Sequence, residues 1–266
     1  MAPYSGADWT RCYIRVAMAK TAPSGMQTRR DATAPTPPRR VAWAVDLYRS
    51  GIGKKYVMAV TGVVLMLYVL AHMLGNLKVY LGPAALNDYA EFLRGMGEPV
   101  APRSVLLWFL RVGLAAAFVL HVHAAYALTV MNRRARPVAY QSPREYVAAN
   151  FAARTMRWTG VIVGLFVLFH LADLTWGFAN PAYVRGDVYH NVVASFQRWP
   201  VALLYVLANL ALGLHLYHGA WSLFQSLGVA NPRFNHWRRH FAVAFALVVT
   251  LGNVTFPTLV LAGVVS

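Results

Sequence analysis

Five apolar runs, each about as long as a bilayer crossing, divide this chain. They cover residues 56–77, 105–131, 155–178, 200–227 and 241–265. A helix rises about 1.5 Å per residue and needs about 20 apolar residues to cross the hydrocarbon. The pattern predicts an all-α membrane protein, a bundle of five transmembrane helices over residues 46–266. The second and fourth runs are long enough to tilt or to project beyond the hydrocarbon. Residues 1–45 lack this pattern. They are basic and proline-rich and read as a disordered leader, within which Met26 is a candidate initiator.

The polar stretches between the runs alternate in charge. Arg29, Arg30, Arg39, Arg40, Arg49, Lys54 and Lys55 precede the first run. Arg133, Arg134, Arg136, Arg144 and Arg154 follow the second, and Arg233, Arg238 and Arg239 follow the fourth. The other two connections mix a few basic residues with Asp88, Glu91, Glu98 and Asp187. The positive-inside rule then places the N-terminus in the cytoplasm. Composition agrees. The chain is 58% hydrophobic and only 13% charged, with a net charge of +16 concentrated beside the apolar runs. That distribution fits contact with membrane lipids and argues against nucleic acid. One cysteine, Cys12, excludes an internal disulfide and any four-thiolate metal site built from this chain alone.

Histidines inside four of the five runs are the candidate chemistry. His72 lies 17 residues past Lys55, and His170 lies 13 past Arg157. In the expected topology both belong to the outer half. His123 lies 20 residues past Arg103 and His215 lies 17 past Arg198, which puts both in the inner half. A single histidine in a span is readily explained as a hydrogen bond between helices. Two depth-matched pairs point instead to an intramembrane redox centre with one imidazole on each side of an iron. His121 and His123 point to nearly opposite faces of one helix, whereas His215 and His218 share a face. Spacing does not choose within either couple. Arg111 is a candidate partner for a haem propionate. Asp173 is a candidate proton relay or ligand-orienting group.

Several strings together resemble the cytochrome b558-type membrane anchor subunit of succinate dehydrogenase and fumarate reductase. They are Ser50-Gly-Ile-Gly-Lys-Lys-Tyr-Val-Met-Ala-Val-Thr-Gly62, His72-Met-Leu-Gly-Asn-Leu77, Asn132-Arg-Arg-Ala-Arg-Pro137, Arg157-Trp-Thr-Gly160 with His170, and His215-Leu-Tyr-His-Gly-Ala-Trp-Ser222. The resemblance runs from about residue 48 to the end. It implies two b-type haems, each held by two histidines, with His72 paired to His170 and His123 to His215. It leaves His121 and His218 as neighbours of the haems or of a quinone. It also implies a non-flavin subunit of a succinate:quinone oxidoreductase in a bacterial plasma membrane. Such a subunit passes electrons from an iron–sulfur protein to a membrane quinone, while a flavoprotein carrying FAD oxidises succinate. The quinone is expected at the cytoplasmic end, near His218, Trp221, Arg49 and Ser50, with the outer end near Asp173 as the rival placement. Three other readings stay open at this stage. One is a histidine-ligated iron–sulfur centre completed by a partner's thiolates. The others are a proton-coupled transporter using His170, Asp173 and His218, and a structural anchor with vestigial histidines.

Overall fold

The computed structural model describes residues 42–135, 151–229, 231, 233 and 235–266. Most of the leader, together with Arg136 and Arg144, lies outside the described residues. The described elements are helices joined by short turns. They are α1 (Ala42–Arg49), α2 (Gly51–Asn76), a 3-10 turn (Leu77–Leu81), α3 (Pro83–Gly95), α4 (Val105–Arg134), α5 (Phe151–Leu174), α6 (Val188–Phe196), α7 (Trp199–Ser226) and α8 (Asn235–Leu261). Five of them, α2, α4, α5, α7 and α8, are long and apolar enough to cross a membrane. The protein is a multi-pass membrane protein.

The expected spans match these five helices, with shifts at the ends that have local causes. Helix α2 begins at Gly51 rather than near residue 56 because Ser50 caps it, its hydroxyl accepting from the Gly53 amide at 2.9 Å. Residues 42–45, counted with the leader by the sequence pattern, form the start of α1. The α1–α2 corner is tight. A Cβ on Gly53 would lie 1.8 Å from the Leu47 carbonyl oxygen, so no side chain fits there. Helix α8 begins at Asn235, and its polar first turn carries Arg238 and Arg239 beyond the apolar run.

Two hairpins and a fifth helix make up the bundle. Helix α2 packs on α4, and α5 packs on α7. The hairpins meet where α2 packs on α7, and α8 closes on both α7 and α2. The α7–α8 seam uses small residues, Ala202, Ala208, Ala220, Ala242 and Ala246, which let backbones approach closely. The approach at Gly213 is close, since a Cβ there would lie 2.3 Å from the Thr250 hydroxyl. Helix α4 has few buried residues beyond Ala117, Ala124 and Leu128.

One end of the bundle, the cap end, is covered by the 3-10 turn, α3 and α6. These short helices were not legible as apolar runs. Met73, Val79, Leu86, Tyr189, Val193, Phe196, Tyr205, Phe256 and Val260 form a single apolar core beneath them. Asn87 fastens α3 to α6. Its amide donates to Asp187 Oδ1 at 3.0 Å, and its oxygen accepts from the Tyr189 amide at 3.1 Å. Asp187 caps α6 by accepting from the His190 amide at 3.0 Å.

That cap is pH-sensitive in a known direction. The His190 amide, and then the Asn87 side chain, hold the Asp187 carboxyl below its ordinary value of 3.8. A lowered carboxylate pKa stabilises the fold above the ordinary value, and the contribution is lost as pH falls through the lowered one. Asp187→Ala should cost about 1 kcal/mol of local stability at neutral pH. It should remove the acid-dependent loss of protection in the first turn of α6 when hydrogen exchange is followed in detergent. Equal protection of α6 in both proteins at neutral pH would contradict the assignment.

Candidate functional site

Histidines meet at one level of the bundle and lie within electrostatic reach of one another at a second. At the cap end, the rings of His72 on α2 and His170 on α5 stand edge to face, 5.8 Å between centroids and 85° between planes. Helices α2 and α5 belong to different hairpins, so the contact is made across the bundle by side chains. Tyr68 stacks on His72 at 5.4 Å, and Phe166 lies against His170 at 5.9 Å. The Asn76 amide donates to His72 Nε2 at 3.4 Å.

At the other, open end, α7 contributes His215 and α4 contributes His121. Nδ1 of His121 lies 3.2 Å from the Met58 carbonyl oxygen and 3.2 Å from the Thr61 hydroxyl. A carbonyl only accepts, so Nδ1 carries the proton and Nε2 keeps a free lone pair. Nδ1 of His215 lies 3.4 Å from the Thr159 hydroxyl, and the ring bonds to the Met156 backbone. Thr61 and Thr159 each turn their own proton back to a helix carbonyl, at 2.7 Å to Val57 and 3.0 Å to Met156. The next residue is glycine in both cases. A Cβ on Gly62 would meet His121 Cε1 at 3.5 Å, and one on Gly160 would meet His215 Cε1 at 3.3 Å. Each ring therefore brings its Cε1–Nδ1 edge against a bare patch of the neighbouring helix.

The same unit thus occurs twice. Met58, Thr61, Gly62 and His72 on α2 have counterparts Met156, Thr159, Gly160 and His170 on α5, every one displaced by 98 residues (156 − 58, 159 − 61, 160 − 62, 170 − 72). His121 and His218 both lie within electrostatic reach of His215.

His123 is placed elsewhere. It is exposed, and it pairs with α1: its ring stacks on Tyr48 at 5.9 Å, and Nδ1 lies 2.5 Å from the Tyr48 hydroxyl. The structure therefore brings His121, not His123, to the side of α4 that packs on α2.

The remaining candidates divide the same way. Asp173 is fully buried at the cap end. Arg198 donates to it at 2.6 Å, Tyr205 at 3.0 Å, and Ser195 also donates to it. Arg111 is exposed, lies over Trp108 at 5.1 Å, and reaches Tyr68 electrostatically. At the open end, Trp221 is covered by the buried Arg238, whose guanidinium lies 4.7 Å from the indole ring and donates to its carbonyl at 3.4 Å. His218 lies on the same helix, one turn earlier. Ser50 and Arg49 sit in the α1–α2 corner, where the Arg49 carbonyl accepts from Lys54 at 2.7 Å. Ser195, Arg198, Tyr205, Thr61 and Thr159 are site residues that sequence reasoning missed. The 98-residue spacing of the threonines is the sequence signal that could have found two of them.

Residues 151–255 match the family of succinate dehydrogenase/fumarate reductase transmembrane subunits. No curated protein and no solved structure matches the chain. The match takes in His170, Asp173, His215, His218 and Trp221. It leaves α2 and α4, with His72, His121 and His123, outside its limits.

The cap-end ion pair makes an energetic prediction. Asp173→Ala leaves the Arg198 guanidinium without its carboxylate. Arg198 retains 30% side-chain exposure, so the cost should be about 2–3 kcal/mol, below that of a wholly buried pair. Thermal unfolding in detergent should show a clear drop, and the double variant Asp173→Ala with Arg198→Met should recover part of it. Absence of any drop in the single variant would show that the pair contributes nothing.

Proposed function

We propose that the chain is the electron-transferring membrane anchor of a succinate:quinone oxidoreductase, with two b-type haems held by its histidine pairs. The observation that carries this is the His72–His170 contact. Two imidazoles ligating one metal at about 2 Å each have centroids roughly 6 Å apart, and these lie 5.8 Å apart. The donor chemistry fits as well. An imidazole whose Nδ1 proton is held by a carbonyl offers Nε2 to a metal, and that outer bond fixes the ring. His121 meets this condition through the Met58 carbonyl, and His215 has the Thr159 hydroxyl and the Met156 backbone beside it.

The cap-end ligands would be His72 and His170. The open-end ligands would be His121 and His215, with His121 favoured over His123 because Tyr48 already engages His123. When bound, the haem iron supplies one-electron chemistry. The protein's part is to keep both pairs apart from water and fixed in direction. Tyr68, Phe166 and the capping helices exclude solvent at one level, and the threonine–glycine patches orient the rings at the other. Helices α1, α2 and α4 place Arg49, Lys54, Lys55, Arg133 and Arg134 at the open end. That charge suits docking of an acidic iron–sulfur protein, itself joined to a flavoprotein with FAD. A quinone arriving laterally would find His218 as a hydrogen-bond donor and Trp221 as a flat wall. The membrane would be a bacterial plasma membrane with the open end cytoplasmic.

Reduced-minus-oxidised absorbance of the purified complex tests the reading. Two b-type signals are expected. His72→Ala should remove one, His121→Ala should remove the other, and His123→Ala should leave both. A complex without haem bands would favour the transporter or the vestigial-anchor alternative.

Orientation is checked separately. Arg134→Cys should label from the cytoplasmic side and Asp187→Cys from the opposite side, because the two residues stand at opposite ends of the bundle. Labelling of both from one side would refute the five-span topology.

A further inference from the structure

Tyr205 stands between His170 and the buried carboxylate of Asp173. Its hydroxyl lies 3.0 Å from Asp173 Oδ2 and 3.3 Å from His170 Nδ1. A hydroxyl has one proton. The carboxylate only accepts, so the proton goes to Asp173, and toward His170 the phenol oxygen is an acceptor. His170 therefore carries its proton on Nδ1 and keeps Nε2 free. Two further donors hold the carboxylate in place, Arg198 at 2.6 Å and Ser195. Arg198 is itself tied to the Ala179 carbonyl at 2.9 Å. The phenol ring has little freedom. Phe166 and Phe196 meet it edge to face at 4.9 Å and 4.8 Å, and Phe169 lies at 6.1 Å.

We infer that Tyr205 and Asp173 are positioning residues for His170, an anionic relay through a phenol that sets its tautomer and its donor strength toward a metal. The inference rests on the ligand reading above. It also gives Asp173 a role other than carrying protons, because three donors converge on its two oxygens. Among the described residues, the relay sets His170 apart from His121 and His215, whose Nδ1 atoms end on neutral carbonyls and hydroxyls. A carboxylate behind the imidazole makes it a stronger electron donor and stabilises the oxidised state of the iron it ligates. If the carboxylate served packing alone, an apolar residue of similar volume would do as well or better at that depth.

The experiment is a potentiometric titration of the whole complex, with electron paramagnetic resonance of both oxidised centres. Tyr205→Phe keeps the ring and its edge contacts but removes the hydroxyl. The potential and resonance of the centre that His170→Ala abolishes should shift, the potential upward, while the other centre stays as in the wild type. Retention of haem at that centre during purification should fall about tenfold or more. Should Tyr205→Phe fail to assemble, Asp173→Asn reads the same potential with the side-chain shape kept. An unchanged potential and resonance in the assembled variant, with the centre still lost in His170→Ala, would overturn the positioning role and leave the ligand reading intact. A wild-type complex with no centre sensitive to His170→Ala would overturn the ligand reading, and this inference with it.

Discussion

Inside a bilayer no water is at hand to satisfy a polar atom, and each one left unpaired costs several kcal/mol. That constraint organises this protein more than any single contact. Every histidine at depth must settle one ring nitrogen on a neighbour. The Nδ1 atoms of His121 and His215 do so on helix carbonyls and threonine hydroxyls. Asp173 does so on three donors. Once the inward nitrogen is settled, the ring is held in one direction and its other nitrogen is committed to whatever lies across the gap. Polar satisfaction and presentation of a ligand atom are then the same structural act.

The spans were legible because a bilayer demands about 20 apolar residues in sequence, a signal no soluble context imitates. The depth of the histidines followed from counting residues between basic ends. The rotation of each helix about its axis did not follow. His121 and His123 lie on nearly opposite faces of α4, and nothing in the apolar run says which face meets α2. Ala124 and Ala117 bury on that helix, but alanine is as common toward lipid as toward a neighbour. Met58, Thr61 and Gly62 across the interface decide it, and they sit about 60 residues away in sequence.

The cap was hidden for a different reason. Helices α3 and α6 are 13 and 9 residues long and amphipathic. Their residues fall in the stretches that the hydropathy pattern reads as connections. They hold because Asn87 of α3 and Asp187 both accept from amides in the first turn of α6 and bond to each other, and because Leu86, Val193 and Phe196 enter the core under them. Tyr205 was hidden too, since a tyrosine in an apolar helix looks like any other large side chain until its hydroxyl is found between a carboxylate and an imidazole.

The 98-residue correspondence between α2 and α5 has a consequence for how the protein is made. The first hairpin carries His72 and His121, and the second carries His170 and His215. Neither holds a complete pair, and each level draws one ring from each. Any group that bridges a pair therefore also stitches together two hairpins that enter the membrane at different times during synthesis. Insertion of such a group would in this sense be a late step of biogenesis, possible only after the two hairpins have met. A chain without such a group would keep its hairpins but lack the bridges between them, and quality control could read that looseness directly.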